Sequence, residues 1–542
     1  MKRLNLGVGA AVGFLLTVPQ IAVMYLAAQW PGLPFLPFDL FDWLTRVLPG
    51  TLITFGIDMM IDGMLALGVD VADNAKTAEQ IASVLLYMGG GVLAGLIFSA
   101  FISSRKIKPD IITGLVMGAL YGLPLISIHL AIGESNVSTG LTILWLSALF
   151  LAWGIVAARA FLVLAPEDAP ADLDGEPVTA ERINRRQFLI TLGGASAVIT
   201  VVGSGVGAVL AGFNRREEEQ ALAQGQVHET ETGAGDPFPN LNDPVMPAPG
   251  TRPEYTPIKD HYKVFIRTAP SDLDGSTWLL PITGLVDNPL MLDLETLKSD
   301  FQSRDQYVTL TCISGRVGTS LIGTTLWSGV SLQDVLAASA VRPEAQYLNI
   351  TSADGFHESV DLDLVAADER IMLCYAWDGH ELPLDHGFPL RIWIPDLYGM
   401  KQPKWITGIE VTDVYKEGYW VERSWDEIAQ VNTTSVIDTV AVQALSDGGL
   451  TFVPVGGIAY SGARGISQVE VSVDDGPWQS ARLRTPLSET SWVIWRFDWP
   501  FEAGDHTFTV RCKEAEGTPQ VETEQPSRPS GSTGIHTFEV NG

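Results

Sequence analysis

Cysteine is the scarcest informative residue in this chain, with 3 among 542 residues. So few thiols exclude a disulfide framework. They also exclude a zinc or iron–sulfur centre held by protein alone, which needs about four ligands. No Cys-x-x-Cys-His haem motif, cysteine cluster or Rossmann-type glycine loop is present. Of the 8 histidines, His129 is the only one before position 214, so bis-histidine haem ligation there by this chain alone is excluded. Positive charge is short as well: 34 Lys and Arg face 63 Asp and Glu, a formal net charge of −29. That excludes nucleic acid as a partner, because phosphates need basic neutralisation. It also removes long-range attraction of an anion, so any anion selectivity must be local.

What is abundant is apolar sequence, 46% of the chain, concentrated in the N-terminal part. Runs of low charge span Leu6–Ala28, Ile81–Ile102, Ile111–Ile132, Leu141–Leu164 and Phe188–Phe213. Each reaches the roughly 20 residues that cross a bilayer. A sixth run, Leu48–Leu67, is interrupted by Asp58 and Asp62, which are costly at the membrane centre. Basic clusters at Lys2-Arg3, Arg105-Lys106-Lys108 and Arg182 with Arg185-Arg186 belong on the cytoplasmic side. The acidic or neutral connections 70–79 and 134–138 suit the outside. Five spans with a re-entrant or interfacial Leu48–Leu67 satisfy these demands; six spans with the N-terminus outside are the alternative. Either way, everything after Phe213 faces outward. Asn184-Arg185-Arg186-Gln187-Phe188-Leu189 ahead of a Gly/Ala-rich run matches a twin-arginine export signal, and equally an ordinary positive flank.

The segments predicted are a polytopic region over 1–166, a signal or anchor helix over 181–213, and a flexible linker over 214–257. The linker is rich in Glu, Gly, Pro and Asn and has almost no apolar period. Beyond it, over 258–428, β-rich runs mix with short helices, giving a mixed α+β domain. Strands are expected at Tyr307–Thr311, Tyr347–Thr351, Ile371–Tyr375, Leu390–Ile394 and Ile406–Val414, and a helix at Leu332–Ser339. From 431 to 542 short strands recur at the spacing of an Ig-like sandwich. There Gln468–Val473 and Trp478–Leu483 form a hairpin whose Asp475-Gly476 pair supplies the positive φ of the turn.

Cys312 stands apart from the other two cysteines. Cys374 and Cys512 lie in apolar strand runs and read as core thiols, with oxidation between them left open. Cys312 instead follows a strand, in Thr309-Leu310-Thr311-Cys312-Ile313-Ser314-Gly315-Arg316. A thiol delivered into a Gly/Ser turn beside an arginine is placed to ionise and bind metal. One cysteine is a single ligand, so such a metal must bring most of its own.

Downstream come His386-Gly387-Phe388-Pro389-Leu390-Arg391 and Tyr398-Gly399-Met400-Lys401-Gln402-Pro403-Lys404-Trp405. With Cys312, Leu326-Trp327-Ser328-Gly329 and Gly418-Tyr419-Trp420-Val421-Glu422-Arg423-Ser424-Trp425, this order and spacing resembles the sulfite oxidase family of molybdopterin enzymes. The resemblance runs from about Tyr262 to the end of the chain. It implies Mo-molybdopterin as cofactor, with Cys312 as the protein ligand of the metal. His386, Arg391, Gln402 and Lys404 match positions that grip the pterin and its phosphate. Asp354 reads as an acceptor for the pterin amine or, equally, as a turn aspartate. Arg267 aligns with an arginine facing cofactor and substrate oxyanion, and Arg316 adds positive field. Trp425 stands where animal relatives carry an active-site tyrosine, which puts sulfite itself in doubt as the substrate.

The resemblance also favours the twin-arginine reading, because a cofactor inserted in the cytoplasm requires export of a folded domain. It implies a homodimer through the C-terminal unit. The expected protein is an oxidoreductase of a bacterial or archaeal cytoplasmic membrane, with its catalytic domain on the extracytoplasmic side. It would oxidise sulfite or a related sulfur oxyanion and pass electrons to a separate cytochrome or quinone. One alternative is a quinone-linked reductase of a sulfoxide or nitrate. Another is a non-catalytic Ig-like adhesin, against which the retention of Cys312, Arg391 and Lys404 speaks.

Overall fold

The computed structural model describes residues 6–30, 32–69, 71–105, 109–134, 137–164, 179–223, 238–443 and 452–540. Lys2, Arg3, Lys106, Lys108 and residues 224–237 of the expected linker lie outside them, as do the side chains of Arg185 and Arg186. The chain divides into two compact units. One comprises 1–49, 76–223 and 267–269; the other comprises 50–75, 224–266 and 270–542.

In the first unit the apolar runs form α1 (Leu6–Gln29) and α2 (Leu36–Val47) and then, after α3 (Gly50–Ala66), α4 (Val71–Arg105), α5 (Ile111–Ile132), α6 (Thr139–Leu164) and α7 (Thr179–Ala223). Five helices among the described residues are long and apolar enough to cross a membrane: Leu6–Gln29, Asn74–Ser104, Ile111–Ile132, Thr139–Leu164 and Gln187–Gly212. They coincide with the five full runs read from the sequence. α1 packs on α7 and α6, and α5 on α6. Small residues let backbones meet, the usual solution where lipid removes the hydrophobic drive between helices. Gly9 and Gly13 of α1 lie so close to Gly91 and Gly95 of α4 that a Cβ at any of them would strike the opposing helix.

The doubtful sixth run becomes α3 (Gly50–Ala66), which clusters with the second unit. Its acidic residues explain this: Asp62 pairs with Arg316 and Asp58 with Arg528, while Leu52, Phe55 and Met59 stay exposed.

The second unit holds one mixed sheet, one antiparallel sheet and a two-sheet sandwich. Its strands are β1 (Leu280–Gly284), β2 (Leu290–Leu292), β3 (Ser303–Thr311), β4 (Ile322–Ser331), β5 (Tyr347–Ser352), β6 (His357–Asp361), β7 (Met372–Trp377), β8 (His380–Glu381), β9 (Arg391–Trp393) and β10 (Ile406–Thr412). One sheet runs β2-β1-β10-β5-β6; the other runs β3-β4-β7-β8, with β9 paired to β7. Helices α8 (Leu294–Asp300), α9 (Leu332–Ser339) and α10 (Leu362–Ala367) accompany them. Between the sheets lies a core including Leu280, Ile282, Val330, Leu348, Ile350, Leu373, Leu390 and Ile392.

The C-terminal part contains β11 (Thr434–Val440), β12 (Phe452–Tyr460), β13 (Ile466–Val473), β14 (Gln479–Ser480), β15 (Arg482–Leu483), β16 (Val493–Pro500), β17 (His506–Glu514) and β18 (His536–Val540). Two four-stranded sheets, β11-β12-β16-β15 and β14-β13-β17-β18, enclose Val453, Val455, Val469, Val471, Trp495, Phe508 and Val510. The turn after β13 differs from expectation in phase. Asp474 and Asp475 carry the positive φ, at 51° and 56°, and Gly476 N–H closes the turn on the Val473 carbonyl at 2.9 Å. Asp474 is fixed there by the Thr507 N–H at 2.9 Å and by His506 at 2.7 Å.

Residues 238–257, read from composition as linker, pack on this sandwich through polar contacts. Arg252 forks onto Asp438 at 2.6 and 3.1 Å, and Arg484 reaches Glu254 at 2.9 Å and the Asn240 carbonyl at 3.0 Å. Charge-assisted bonds of this kind hold a segment that has no apolar period.

Candidate active site

Strand β3 ends at Thr311 and delivers Cys312 to the start of a tight loop. Cys312 N–H donates to the Leu321 carbonyl at 3.0 Å, and Gly315 N–H closes back on the Cys312 carbonyl at 3.2 Å. The half-buried thiol opens on a cleft shared with Tyr398, Tyr460, Asn432, Arg252 and Arg316. Burial raises its pKa above the ordinary value, opposed by the Ser314 hydroxyl 3.1 Å away and by the backbone there. Arg316 does not supply the expected counter-charge: its guanidinium is largely exposed and pairs with Asp62. The thiol therefore keeps its proton at neutral pH.

A second cluster of polar groups is built by β9, the loop before it, and the segment after Tyr398. Arg391 is buried between Leu390 and Ile392 on β9, with its guanidinium 4.4 Å over the Trp327 ring. One nitrogen donates to the His386 carbonyl at 3.1 Å, while Nε has no partner. No carboxylate pairs with Arg391 among the described residues, and burial pushes its pKa down to about 10. His386 is buried against Trp377, at 4.3 Å between rings, and against His261 at 5.5 Å. Burial first and neighbouring cations second depress both imidazoles, His261 to about 3, so both are neutral, and each leaves Nε2 unbonded.

Lys404 donates to the Asp385 carbonyl at 2.9 Å and lies over the rings of Phe265 and Trp405, at 4.7 and 4.6 Å. Lys263 pairs with the Asp385 carboxylate at 2.5 Å. Gly387, at φ 113°, allows the crowding, since a Cβ there would stand 2.9 Å from Lys404 Cβ and 3.3 Å from Arg391 Cβ. Gln402 spends its amide hydrogens on the carbonyls of Ile394 and Leu397 and leaves Oε1 buried without a donor. Tyr262 shares a core cluster with Trp327, the ring beneath Arg391, and Cys312 packs against the same cluster, which joins the thiol end to the cationic end.

The structure thus gathers His386, Arg391 and Lys404 in one cluster, with Gln402 on the same chain turn. Asp354 caps its own turn by accepting from Phe356 N–H at 2.9 Å. Trp425 is buried in the core joining the α+β domain to the sandwich, with Nε1 unbonded and Arg528 4.7 Å over its ring. It does not line the Cys312 cleft. Nor does Arg267: the segment Arg267–Ala269 clusters with the helical unit, where Arg267 meets Glu134 at 2.6 Å, Asp42 at 3.4 Å and Asp39 at 3.9 Å. Thr268 donates to the same Asp42 through its N–H at 2.9 Å and its hydroxyl at 2.6 Å.

His261, Lys263, Trp327 and Tyr398 join the site without having been singled out as site residues. Tyr398 had a signal, its place in the Tyr-Gly-Met-Lys run, whereas His261 is made a site residue by contacts alone. Burial pushes the Tyr398 phenol up to about 12, so it keeps its proton at neutral pH.

A buried guanidinium without a counter-charge is expensive, and so is each orphaned polar atom. A ligand that brings phosphate oxygens and further polar edges would relieve these penalties, and the thiol could supply one bond to a metal. The donor set fits molybdopterin. Comparison with known proteins agrees. The family model described as oxidoreductase molybdopterin binding domain matches residues 267–420. The uncharacterized oxidoreductase YuiH of Bacillus subtilis is 33% identical over 147 residues, covering 27% of this chain and 71% of that protein. The nitrate reductase [NAD(P)H] of Hordeum vulgare is 29% identical over 324 residues, 47% of this chain and 35% of that one. Mitochondrial sulfite oxidase of Macaca fascicularis is 27% identical over 292 residues, 45% and 52% respectively. This chain thus spans 35% of that nitrate reductase and 52% of that sulfite oxidase. Among solved structures, the sulfane dehydrogenase SoxCD from Paracoccus pantotrophus aligns over 51% of this chain and 78% of its own, at 22% identity and a TM-score of 0.44. The chain belongs to the molybdopterin-binding oxidoreductases of the sulfite oxidase family.

Proposed function

We propose that this protein is a membrane-anchored oxidoreductase that transfers an oxygen atom and two electrons, oxidising sulfite or a related sulfur oxyanion on the extracytoplasmic side. Cys312 would hold the metal through its thiolate, giving up its proton as the cation arrives. Arg391, with Lys404 and His386, would hold the pterin phosphate: the guanidinium as a planar fork, the ammonium as a point charge. Gln402 and His261 would receive the pterin edges through their unbonded Oε1 and Nε2. When bound, the cofactor supplies the two-electron redox change and the exchangeable oxygen. The chain's own groups position the substrate and exclude water. The observation that carries this reading is Arg391, a buried cation beside unsatisfied polar atoms and with no carboxylate paired to it among the described residues.

Five long apolar helices and the basic flanks of the sequence support anchoring with the catalytic part outward. The two-sheet C-terminal part supports an Ig-like domain, and the resemblance to the sulfite oxidase family is what suggests that it dimerises. Electrons would leave to a separate cytochrome or quinone. Nitrate reductases among the relatives favour, as a second reading, a quinone-linked reductase of nitrate or a sulfoxide. The full chain, expressed in a host that makes the cofactor, should carry about one molybdenum, and Cys312→Ser should carry none. Redox titration then sets the direction: sulfite bleaching the Mo(VI) absorption supports oxidation. Bleaching only by a quinol, reversed by nitrate or a sulfoxide, replaces it with the second reading. A metal-free protein sinks both.

A further inference from the structure

The Cys312 cleft holds several hydrogen-bond donors, and its two guanidiniums are each drawn to a carboxylate. Arg252 is forked onto Asp438, at 2.6 Å from NH2 and 3.1 Å from Nε. Arg316 is paired with Asp62. The Tyr460 hydroxyl donates to the Thr309 carbonyl at 2.9 Å. The Asn432 side chain donates to the carbonyls of Ser530 and Ser532, at 3.0 and 3.3 Å. Both guanidiniums already face a carboxylate, and among the phenols and the amide of the cleft Tyr398 alone has an uncommitted donor. Its oxygen accepts from the Asn432 N–H at 3.1 Å, and its proton has no acceptor among the described residues.

The phenol is also held in place. It is 6% exposed, packed in the core with Ile313, Met400 and Trp425. Gly531, at φ 87°, passes so close to the hydroxyl that a Cβ there would displace it. An N–H bonded to a phenol oxygen polarises the O–H and strengthens what it donates. A rigid, desolvated donor of this kind, beside a thiol that faces the same cleft, is suited to an oxygen carrying negative charge.

We infer that Tyr398 is the residue that recognises substrate here, donating its phenolic hydrogen bond to one oxygen of an oxyanion bound at the Cys312 cleft. This rests on the cleft being the reaction centre of the proposed oxidoreductase. It assigns to the segment after β9 a role that the sequence position of Trp425 leaves open.

The test uses the molybdenum-loaded full chain in detergent, with inorganic sulfate as the probe and its perturbation of the Mo(VI) absorption as the readout. Tyr398→Phe removes one oxygen atom. It should keep its molybdenum and weaken sulfate roughly tenfold or more, the loss expected for a hydrogen bond to a charged acceptor. In steady state with sulfite, the same variant should raise KM more than it lowers kcat. Gly531→Ala retains the phenol but shifts it, and should weaken sulfate in the same direction. It serves as the second arm if Tyr398→Phe does not fold. Wild-type sulfate affinity in either loaded variant overturns the inference. So does a loaded wild-type protein whose spectrum sulfate leaves unchanged, and in that case the oxidoreductase reading survives. Absence of molybdenum from the wild type overturns that reading itself.

Discussion

Arg391 shows how one residue ties sequence to cofactor. Its apolar neighbours Leu390 and Ile392 drag it inside, where among the described residues the Trp327 face and the His386 carbonyl meet its guanidinium. Without a ligand the guanidinium is a net cost, as buried charges are when poorly paired. Arg391→Met should therefore raise the melting midpoint of cofactor-free protein by roughly 2–4 °C, about 1 kcal/mol at this size. The same change should abolish retention of molybdopterin through gel filtration. Calorimetry of the apo form and molybdenum analysis of the loaded form give the two readings. A lower apo midpoint would mean the guanidinium is structural. His261 makes a pH prediction of definite sign. Its folded pKa is about 3, below the ordinary 6.5, so between these values the unfolded chain binds the extra proton. The stability it contributes is fully present above about pH 6.5 and is lost as pH falls toward 3. Urea unfolding of His261→Gln should show a shallower decline over that window than the parent protein. That His386, Arg391 and Lys404 would come together was legible in the sequence, because the motif fixes their spacing. His261 was not, since its role comes from rings that converge only in the fold. The charge on Arg316 was misassigned for the same reason, its partner Asp62 lying 254 positions away.

At the scale of elements, legibility followed the length and period of the signal. Five apolar runs gave five helices with nearly the expected bounds, and Leu332–Ser339 appears as α9 at the residues expected. The failures share a cause. Residues 238–257 look like tether because their anchors, Asp438 and Arg484, are far away in sequence. The hairpin after β13 is one residue out of phase because Asp474 is held by Thr507 and His506 across the sheet. What pattern cannot show is how closely two helices approach. Gly13 on α1 meets the backbone of Gly91 on α4, whereas nothing lies within 4 Å of a Cβ built at Gly193 on α7. Gly13→Val should consequently destabilise the helical unit by about 1–3 kcal/mol, the usual cost of overpacking, while Gly193→Val should change little. Thermal scanning of both variants in detergent measures this, and equal midpoints would place the α1–α4 contact elsewhere.

For the whole molecule the decisive quantity is where charge sits relative to the apolar helices. A chain of net charge −29 has its few N-terminal lysines and arginines gathered beside the long runs, the arrangement expected to orient membrane spans, while the route by which the catalytic part would cross is a separate question. Two mechanisms fit Arg185-Arg186. If they are only a positive flank, replacing both with lysine preserves the charge and nothing changes. If they are an export signal read by a receptor for folded proteins, the pair of lysines fails despite its charge. Glu489, on the surface with a side chain 87% exposed, offers a reporter site. Glu489→Cys should react with a membrane-impermeant maleimide on intact cells, above the background of the parent, whose Cys374 and Cys512 are buried. Adding Arg185→Lys and Arg186→Lys should abolish that reaction on intact cells and leave it intact after lysis. Labelling that persists with lysines means the last helix inserts by charge alone, and the unit would then cross unfolded and acquire its cofactor outside. Labelling of Glu489→Cys only after lysis, with the arginines in place, puts the catalytic unit in the cytoplasm and removes the need for export altogether.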